Sequence, residues 1–138
     1  MNEIDILEIE NIKIGNAENE DAKTGVTAII CENCAPCGVD IRGGGPASRE
    51  TPLLSPLAAA TGIHAVLLCG GSAFGLDAAG GAMRYLEEHD IGFDTGITKV
   101  PLVCASSIFD LGIGDKTVRP DAAMGYQACE NAQTGNYK

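Results

Sequence analysis

A glycine-rich turn is the part of this chain whose residue types could most directly do chemistry. The sequence Gly70-Gly71-Ser72-Ala73-Phe74-Gly75 follows an apolar run over residues 63–69 and leads into a segment patterned like a helix. Backbone N–H groups at the start of a helix can hold an anion or cradle a carbonyl or phosphate, and glycines there also let a helix pack closely on a sheet. These uses can be distinguished by comparing the residue spacing of the turn with that of known motifs.

Three known motifs fit this turn poorly. A dinucleotide fold has glycine where Ser72 stands, and a phosphate-binding P-loop needs a Gly-Lys-Ser/Thr sequence that does not follow. A serine nucleophile elbow has the spacing G-x-S-x-G, which is one residue shorter, and neither His64 nor His89 has an evident catalytic-base context. We therefore expect Ser72 to be a helix N-cap whose hydroxyl accepts an N–H of the first turn. The residues predicted to be structural in this turn are Gly70, Gly71, Ser72 and Gly75.

A triplet of cysteines could bind a metal. Cys31, Cys34 and Cys37 have the spacing C-x-x-C-x-x-C, which lets successive thiolates converge on zinc or an iron–sulfur cluster. A fourth ligand with characteristic spacing is missing, so we expect reduced cysteines and no metal, with a metal site or a labile disulfide as the alternatives. The remaining cysteines stand singly in apolar surroundings and are predicted core residues: Cys69, Cys104 and Cys129.

Composition limits the classes of function. The 138 residues are predicted to form one domain, 1–138, and because 45% are hydrophobic but only 4% aromatic, Ala, Val, Ile and Leu must build its core. A formal charge of −10 with nine scattered basic residues argues against a nucleic-acid partner, which needs clustered Lys and Arg. The sequence has no run of about 18 apolar residues and no basic leader, so we expect no membrane partner and a cytoplasmic location.

The first half of the chain is patterned as short strands. Alternating apolar and polar residues predict an edge strand or hairpin over residues 4–14, followed by a polar connection over 16–23. Short strands are predicted over residues 26–30 and 39–41. The glycine-rich segment 42–50 is predicted to be a loop.

The second half alternates strands and helices. The continuous apolar run 63–69 predicts a strand with both faces buried, and apolar residues at spacings of three and four predict a helix from Ser72 to about residue 88. In the run 100–111 a strand is predicted that starts at Pro101, and a helix is predicted to begin near Pro120. Interior glycines cost about 1 kcal/mol each relative to alanine, which implies close backbone contacts at these positions: Gly75, Gly80 and Gly81. Mixed strands and helices of this kind predict an α/β or α+β fold.

Several longer motifs occur in a fixed order along almost the whole chain. They are Thr24-Gly25-Val26-Thr27, Arg42-Gly43-Gly44-Gly45-Pro46 with Arg49-Glu50-Thr51, Ile63-His64-Ala65-Val66-Leu67-Leu68 with the glycine turn and Leu76-Asp77-Ala78-Ala79, and Arg119-Pro120-Asp121 with Met124-Gly125-Tyr126. In this order they resemble the N-terminal part of the L-aminopeptidase/D-esterase family, the DmpA-type self-cleaving hydrolases of peptidase family S58.

The resemblance implies a layered αββα sandwich, present here in part, and assembly into a homo-oligomer. It also implies a precursor that cleaves itself to expose a Ser or Thr, whose new amino terminus is the base for its own hydroxyl. This chain would be the N-terminal α-chain portion, inactive alone, with the nucleophile beyond Lys138. The partner would be the C-terminal remainder of the same precursor, and the substrate a small peptide, amide or ester. No cofactor is required.

The resemblance also names candidate residues for the substrate cleft: Ser107, Phe109 and Asp110. Some relatives have a tyrosine beside the aspartate, where this chain has Phe109, and aminopeptidase relatives can carry an acid that binds the substrate's free amine where Ser107 stands. A strict aminopeptidase preference is therefore in doubt, and an amidase with another substrate stays open. The alternative function is a non-catalytic binding or structural domain that retains this half of the fold.

Overall fold

The computed structural model describes residues 3–137, so Lys138 lies outside the described residues. Within that range the strands are β1 (Lys13–Asn19), β2 (Thr24–Ala35), β3 (Ser48–Arg49), β4 (Ile63–Cys69), β5 (Phe93–Asp94), β6 (Lys99–Val100) and β7 (Val103–Ser107). The α-helices are α1 (Ala78–Glu88) and α2 (Ala122–Thr134), and 3-10 helices cover Ile6–Glu8, Thr51–Leu54 and Ser72–Asp77. The mixture of sheet and helices confirms the predicted α+β class.

Five strands form one mixed sheet in the order β1-β2-β4-β7-β3. β2 pairs antiparallel with both β1 and β4, and β3 pairs antiparallel with β7. β4 and β7 are parallel, so the chain between them must cross from one end of the sheet to the other, and α1 lies in this connection. β5 and β6 form a separate two-stranded hairpin within the same connection.

The core lies between the two helices and one face of the sheet. Alternate residues of β2, β4 and β7 point into it and are almost fully buried, together with the small residues of both helices. As the composition predicted, aliphatic residues dominate, but Tyr85 of α1 is the largest fully buried side chain. Of the predicted core cysteines, Cys69 and Cys129 are buried here, whereas Cys104 is buried outside this cluster, where its thiol bonds to the Glu50 carbonyl oxygen.

Glycines allow the backbones of α1 and α2 to come into direct contact. A Cβ atom on Gly81 of α1 would collide with the carbonyl group of Ala122, and one on Gly125 of α2 would collide with the carbonyl group of Ala78. The predicted close contact is therefore confirmed for Gly81. The prediction is wrong for Gly80, because a Cβ atom there would have no neighbour within 4 Å.

The bounds predicted for the N-terminal strand and the connection after it are wrong. Asp5 accepts an N–H bond from Leu7 and caps the 3-10 helix Ile6–Glu8, so the predicted strand over 4–14 gives way to a helical turn, and β1 begins only at Lys13. β1 then occupies much of the segment predicted as the connection 16–23. An edge strand tolerates such polar residues because only its inward side chains must be apolar.

Two other strand predictions, over residues 39–41 and in the run 100–111, differ from the structure. Residues 36–47 have no regular structure, and Val39 and Ile41 remain half-exposed, so the strand over 39–41 is wrong. The strand predicted to start at Pro101 in the run 100–111 is shorter than predicted, because β7 begins at Val103 and ends at Ser107, while β6 ends before the proline, which has no N–H to donate. The strand over 63–69 has the predicted bounds, and the helix near Pro120 begins one residue after Asp121, its N-cap.

The second face of the sheet is open at the end where Leu68 lies, whereas His64 and Cys104 on the same face are buried. β4 was expected to be buried on both faces, but the side chain of Leu68 is 50% exposed and Val66 is partly exposed. Leu68 is paired with Thr27 on one side and Ser106 on the other, and both of these are also incompletely buried. In the part of the chain that the structure describes, no helix is long and apolar enough to cross a membrane.

Candidate functional site

The glycine turn has a left-handed backbone at two successive residues. Gly71 has φ +79° and Ser72 has φ +55°, and the 3-10 helix Ser72–Asp77 begins directly after Gly71, which is its N-cap. The predicted N-cap role of Ser72 is therefore wrong, because the cap position falls on a glycine without a side chain. The Ser72 N–H group donates to the Ile108 carbonyl at 2.9 Å, so it is already bonded within the fold.

Three glycines of the turn are packed closely against their surroundings. A Cβ atom on Gly75 would collide with the carbonyl oxygen of Gly70, and one on Gly71 would lie 2.9 Å from Cδ of Pro120. A Cβ atom on Gly70 would collide with the side chains of Asp110 and Thr24. These contacts, and the bonds that the N–H groups of Gly71 and Ser72 already make to Asp110 and Ile108, support the prediction that the turn is a structural junction.

Asp110 contacts the turn directly. Its Oδ1 atom accepts the Gly71 N–H at 2.7 Å, and its Oδ2 atom accepts the Thr24 hydroxyl at 2.8 Å. Thr24 is the first residue of β2 and Asp110 lies three residues after the end of β7. The carboxylate therefore links the ends of two strands to the turn that follows a third, β4.

Ser107 and Phe109, the other predicted cleft residues, lie differently from Asp110. The Ser107 hydroxyl oxygen is buried and has no partner of normal hydrogen-bond geometry in residues 3–137, and the Cys69 thiol lies close to it. Phe109 is 79% exposed. Neither lines the cleft described next, and their role in substrate binding stays a prediction.

A cleft of about 750 Å³ lies on the open face of the sheet. Thr27, Leu68 and Ser106 contribute from three neighbouring strands, and Ile108 and Asp110 contribute from the segment after β7. The β1 strand and the turn after it complete the wall. The cleft lies beside the carboxyl ends of the parallel strands β4 and β7, the usual position for a ligand site in sheets with parallel strands.

Neither histidine is placed to activate a nucleophile among the described residues. His64 is buried, its Nδ1 atom accepts the Leu102 N–H at 3.1 Å, and burial lowers its pKa below the ordinary value. The His89 ring stacks on Tyr85 and its Nδ1 atom lies 2.7 Å from the Tyr85 carbonyl oxygen. Each histidine thus bonds within its own surroundings, and no hydrogen bond joins either of them to Ser72 among the described residues.

The cysteine triplet lies around the end of β2, where Cys34 has φ +60°. Burial raises the pKa of the Cys31 thiol, and the neighbouring Cys37 and Cys34 raise it further. Over residues 3–137, no group of three or more potential ligands is arranged to hold a metal ion. The reduced state of the triplet stays a prediction.

Burial raises the pKa values of the three core thiols: to about 11 for Cys69, about 11 for Cys104 and about 12 for Cys129. A thiol with such a pKa is almost entirely protonated at neutral pH. These cysteines are therefore poor nucleophiles and poor metal ligands.

Sequence reasoning missed several residues of the site. Thr24 was part of a recognised motif but received no role, and Thr27, Leu68 and Ser106 were not considered as cleft residues. The signal that could have found these residues is the alternation of side chains along β2, β4 and β7, because the residues that point away from the helices share one face of the sheet. It could be used only once the order of the strands was known.

The fold and the cleft define an α+β domain with one helical layer and one open sheet face. The sequence model of peptidase family S58 matches residues 5–137, nearly the whole chain. The chain therefore belongs to peptidase family S58, a family of hydrolases, and the predicted resemblance is confirmed.

Curated relatives carry hydrolase names. An uncharacterized aminopeptidase of Mycobacterium leprae (strain TN) is 42% identical over 135 residues, covering 92% of this chain and 37% of the relative. One of Mycobacterium tuberculosis (strain ATCC 25618 / H37Rv) is 40% identical over 137 residues, covering 92% and 39%. A 6-aminohexanoate-oligomer endohydrolase of Kocuria sp. (strain KY2) is 30% identical over 131 residues, covering 95% and 34%. The chain thus spans little more than a third of the length of these relatives.

Proposed function

We propose that this chain is the N-terminal, α-chain portion of an autoprocessed aminopeptidase or amidohydrolase. In this proposal the enzyme hydrolyses amide or ester bonds of small peptides through a Ser or Thr acyl-enzyme, and the nucleophile belongs to the C-terminal remainder of the same precursor. Membership of peptidase family S58 and the aminopeptidase and oligomer-hydrolase names of the relatives support the reaction class. The chain spans 37% and 39% of the length of the two mycobacterial relatives, and we propose that the remainder of the enzyme includes the nucleophile.

The observation that carries the proposal is the open face of the sheet. One face is covered by α1 and α2, while the opposite face exposes half of the Leu68 side chain and contains the cleft. A mixed sheet with an apolar second face is normally covered by another layer. We propose that the C-terminal remainder supplies that layer, and that substrate binds in the cleft between the two portions.

The proposed chemistry divides the work between the two portions. The nucleophile would attack the carbonyl carbon of the substrate while its own amino terminus accepts the hydroxyl proton, and the acyl-enzyme would then be hydrolysed by water. Backbone or side-chain N–H groups would stabilise the oxyanion. The present chain would supply the cleft wall at Thr24, Leu68, Ile108 and Asp110. The reaction requires no metal or cofactor, and we propose a homo-oligomer in the cytoplasm.

Mass spectrometry and hydrolysis assays test this proposal. The complete reading frame that contains this chain is expressed, and the purified protein should consist of two polypeptides, the second beginning with Ser or Thr. It should hydrolyse aminoacyl nitroanilides or 6-aminohexanoate oligomers, whereas residues 1–138 alone should not. An uncleaved protein without hydrolytic activity would favour the non-catalytic alternative. Robust turnover by residues 1–138 alone would show that the nucleophile lies within them.

A further inference from the structure

We propose that Asp110 is a positioning residue, which holds the cleft wall by bonding the glycine turn to β2, and that it does not bind the ammonium group of a substrate. This inference rests on the proposed function, since it concerns the same cleft. Asp110 is half-buried, and the alternative role for a carboxylate in this cleft is to bind the free amine of a substrate.

The geometry of the carboxylate carries the inference. Each of its two oxygen atoms accepts one hydrogen bond from the fold, Oδ1 from the Gly71 N–H at 2.7 Å and Oδ2 from the Thr24 hydroxyl at 2.8 Å. Bonds to a charged acceptor are the stronger class of protein hydrogen bond. The space beside Gly70 is filled by the same two side chains, because any Cβ atom there would collide with Asp110 and Thr24. The close packing shows that these contacts are built into the fold.

Two further backbone bonds continue the same connection. The Ile108 N–H donates to the Cys69 carbonyl at 2.9 Å, and the Ser72 N–H donates to the Ile108 carbonyl at 2.9 Å. These two bonds attach Ile108, at one end of the segment, and the Asp110 carboxylate attaches the other end to Gly71. Because Ile108, Asp110 and Thr24 line the cleft, the position of this wall depends on the carboxylate.

Replacing the carboxylate by an amide separates the two roles. In Asp110→Asn, Oδ1 can still accept the Gly71 N–H, and the amide NH₂ can donate to the Thr24 hydroxyl oxygen, since a hydroxyl also accepts. Both contacts survive while the negative charge is lost. Asp110→Ala loses both contacts and the charge. A positioning residue therefore tolerates asparagine, whereas an amine-binding residue does not.

Kinetics on the complete, processed protein provide the first test. Substrates with a free α-amine are compared with the same substrates carrying an acetylated amine. We expect Asp110→Asn to lower kcat/KM less than fivefold and Asp110→Ala to lower it more than tenfold. The ratio of kcat/KM between the two substrate classes should stay within twofold of wild type in both variants. Loss of the preference for the free amine in Asp110→Asn would overturn the inference.

Hydrogen exchange of the Gly71 amide, measured by NMR on the same protein, provides a test that does not depend on activity. Exchange should accelerate at least tenfold in Asp110→Ala, but less than threefold in Asp110→Asn. Asp115→Ala is the matched control, because Asp115 is an exposed acid five residues later in the chain whose carboxylate accepts hydrogen bonds from Thr117, and its loss should leave the exchange of Gly71 unchanged. Equal acceleration in the two Asp110 variants would overturn the inference. A wild-type protein without hydrolytic activity would refute the proposed function, and the exchange data alone would then decide the role of Asp110.

Discussion

Gly80 and Gly81 are adjacent in α1, yet only Gly81 contacts the second helix. A Cβ atom on Gly81 would collide with the Ala122 carbonyl oxygen and lie 2.8 Å from the Tyr126 nitrogen. A Cβ atom on Gly80 would meet nothing within 4 Å. The two glycines share the same helix and neither has a positive φ. Alanine substitution at the two positions should therefore change the free energy of unfolding in opposite directions.

The magnitudes follow from two competing effects. Replacing glycine by alanine within a helix stabilises a protein by about 1 kcal/mol. At Gly80 this gain should appear almost in full. At Gly81 it is opposed by overpacking, which costs about 1–3 kcal/mol, with the upper end expected because backbone atoms cannot move aside as a side chain can. We expect Gly81→Ala to destabilise by about 2 kcal/mol, which separates the two variants by about 3 kcal/mol.

Urea unfolding of the protein, followed by circular dichroism, measures this difference. For a slope of about 2 kcal/mol per molar urea, the midpoints of the two variants should differ by about 1.5 M, with wild type between them. Gly125→Ala approaches the same crossing from α2, where its Cβ atom would collide with Ala78, and should resemble Gly81→Ala. A Gly81→Ala midpoint equal to or above that of Gly80→Ala would refute the reasoning from close helix contact.

Three further predictions concern the open face, the buried histidine and the cap of α2. Leu68→Asp should weaken the association of this chain with the separately expressed C-terminal remainder at least tenfold, as measured by calorimetry. The control Ile97→Asp, at a 94% exposed hairpin position, should not weaken it. Equal effects of the two variants would argue against the open face as the interface. Burial lowers the pKa of His64 below 6.5, so the unfolded chain binds the proton more readily and the free energy of unfolding should fall as the pH drops below about 6.5. Urea midpoints at pH 7.5 and 5.5 should show this loss in wild type but a smaller one in His64→Asn, and an unchanged loss would assign it to other groups. Asp121→Ala should lower the free energy of unfolding by about 1 kcal/mol, and Asp121→Asn by a few tenths, because only asparagine retains a cap acceptor; equal losses would contradict the capping role.

Short-range chemistry made several elements predictable. β4 has its predicted bounds because it is a continuous apolar run between turn-forming residues, and α2 begins where Pro120 and Asp121 place a helix start. The β1 strand was missed because its polar residues are typical of a connection. They are accommodated at a sheet edge, a position that no local pattern indicates.

The candidate site was predictable only in part. Asp110 lines the cleft beside β4 and β7, and its role toward substrate stays a prediction; its partners Gly71 and Thr24 are separated from it by 39 and 86 residues in the chain. Contacts over such distances depend on the order and register of the strands. The same holds for the exposure of Leu68, which belongs to a run that reads as buried on both faces.

The sequence by itself determined the family and the α+β class, because motif order and apolar periodicity are properties of neighbouring residues. Only the tertiary structure decided which glycine contacts the second helix, which face of the sheet is open, and that the Asp110 carboxylate bonds the turn to β2. These features arise where segments distant in the chain meet, and their energies depend on distances that strand pairing and helix packing set.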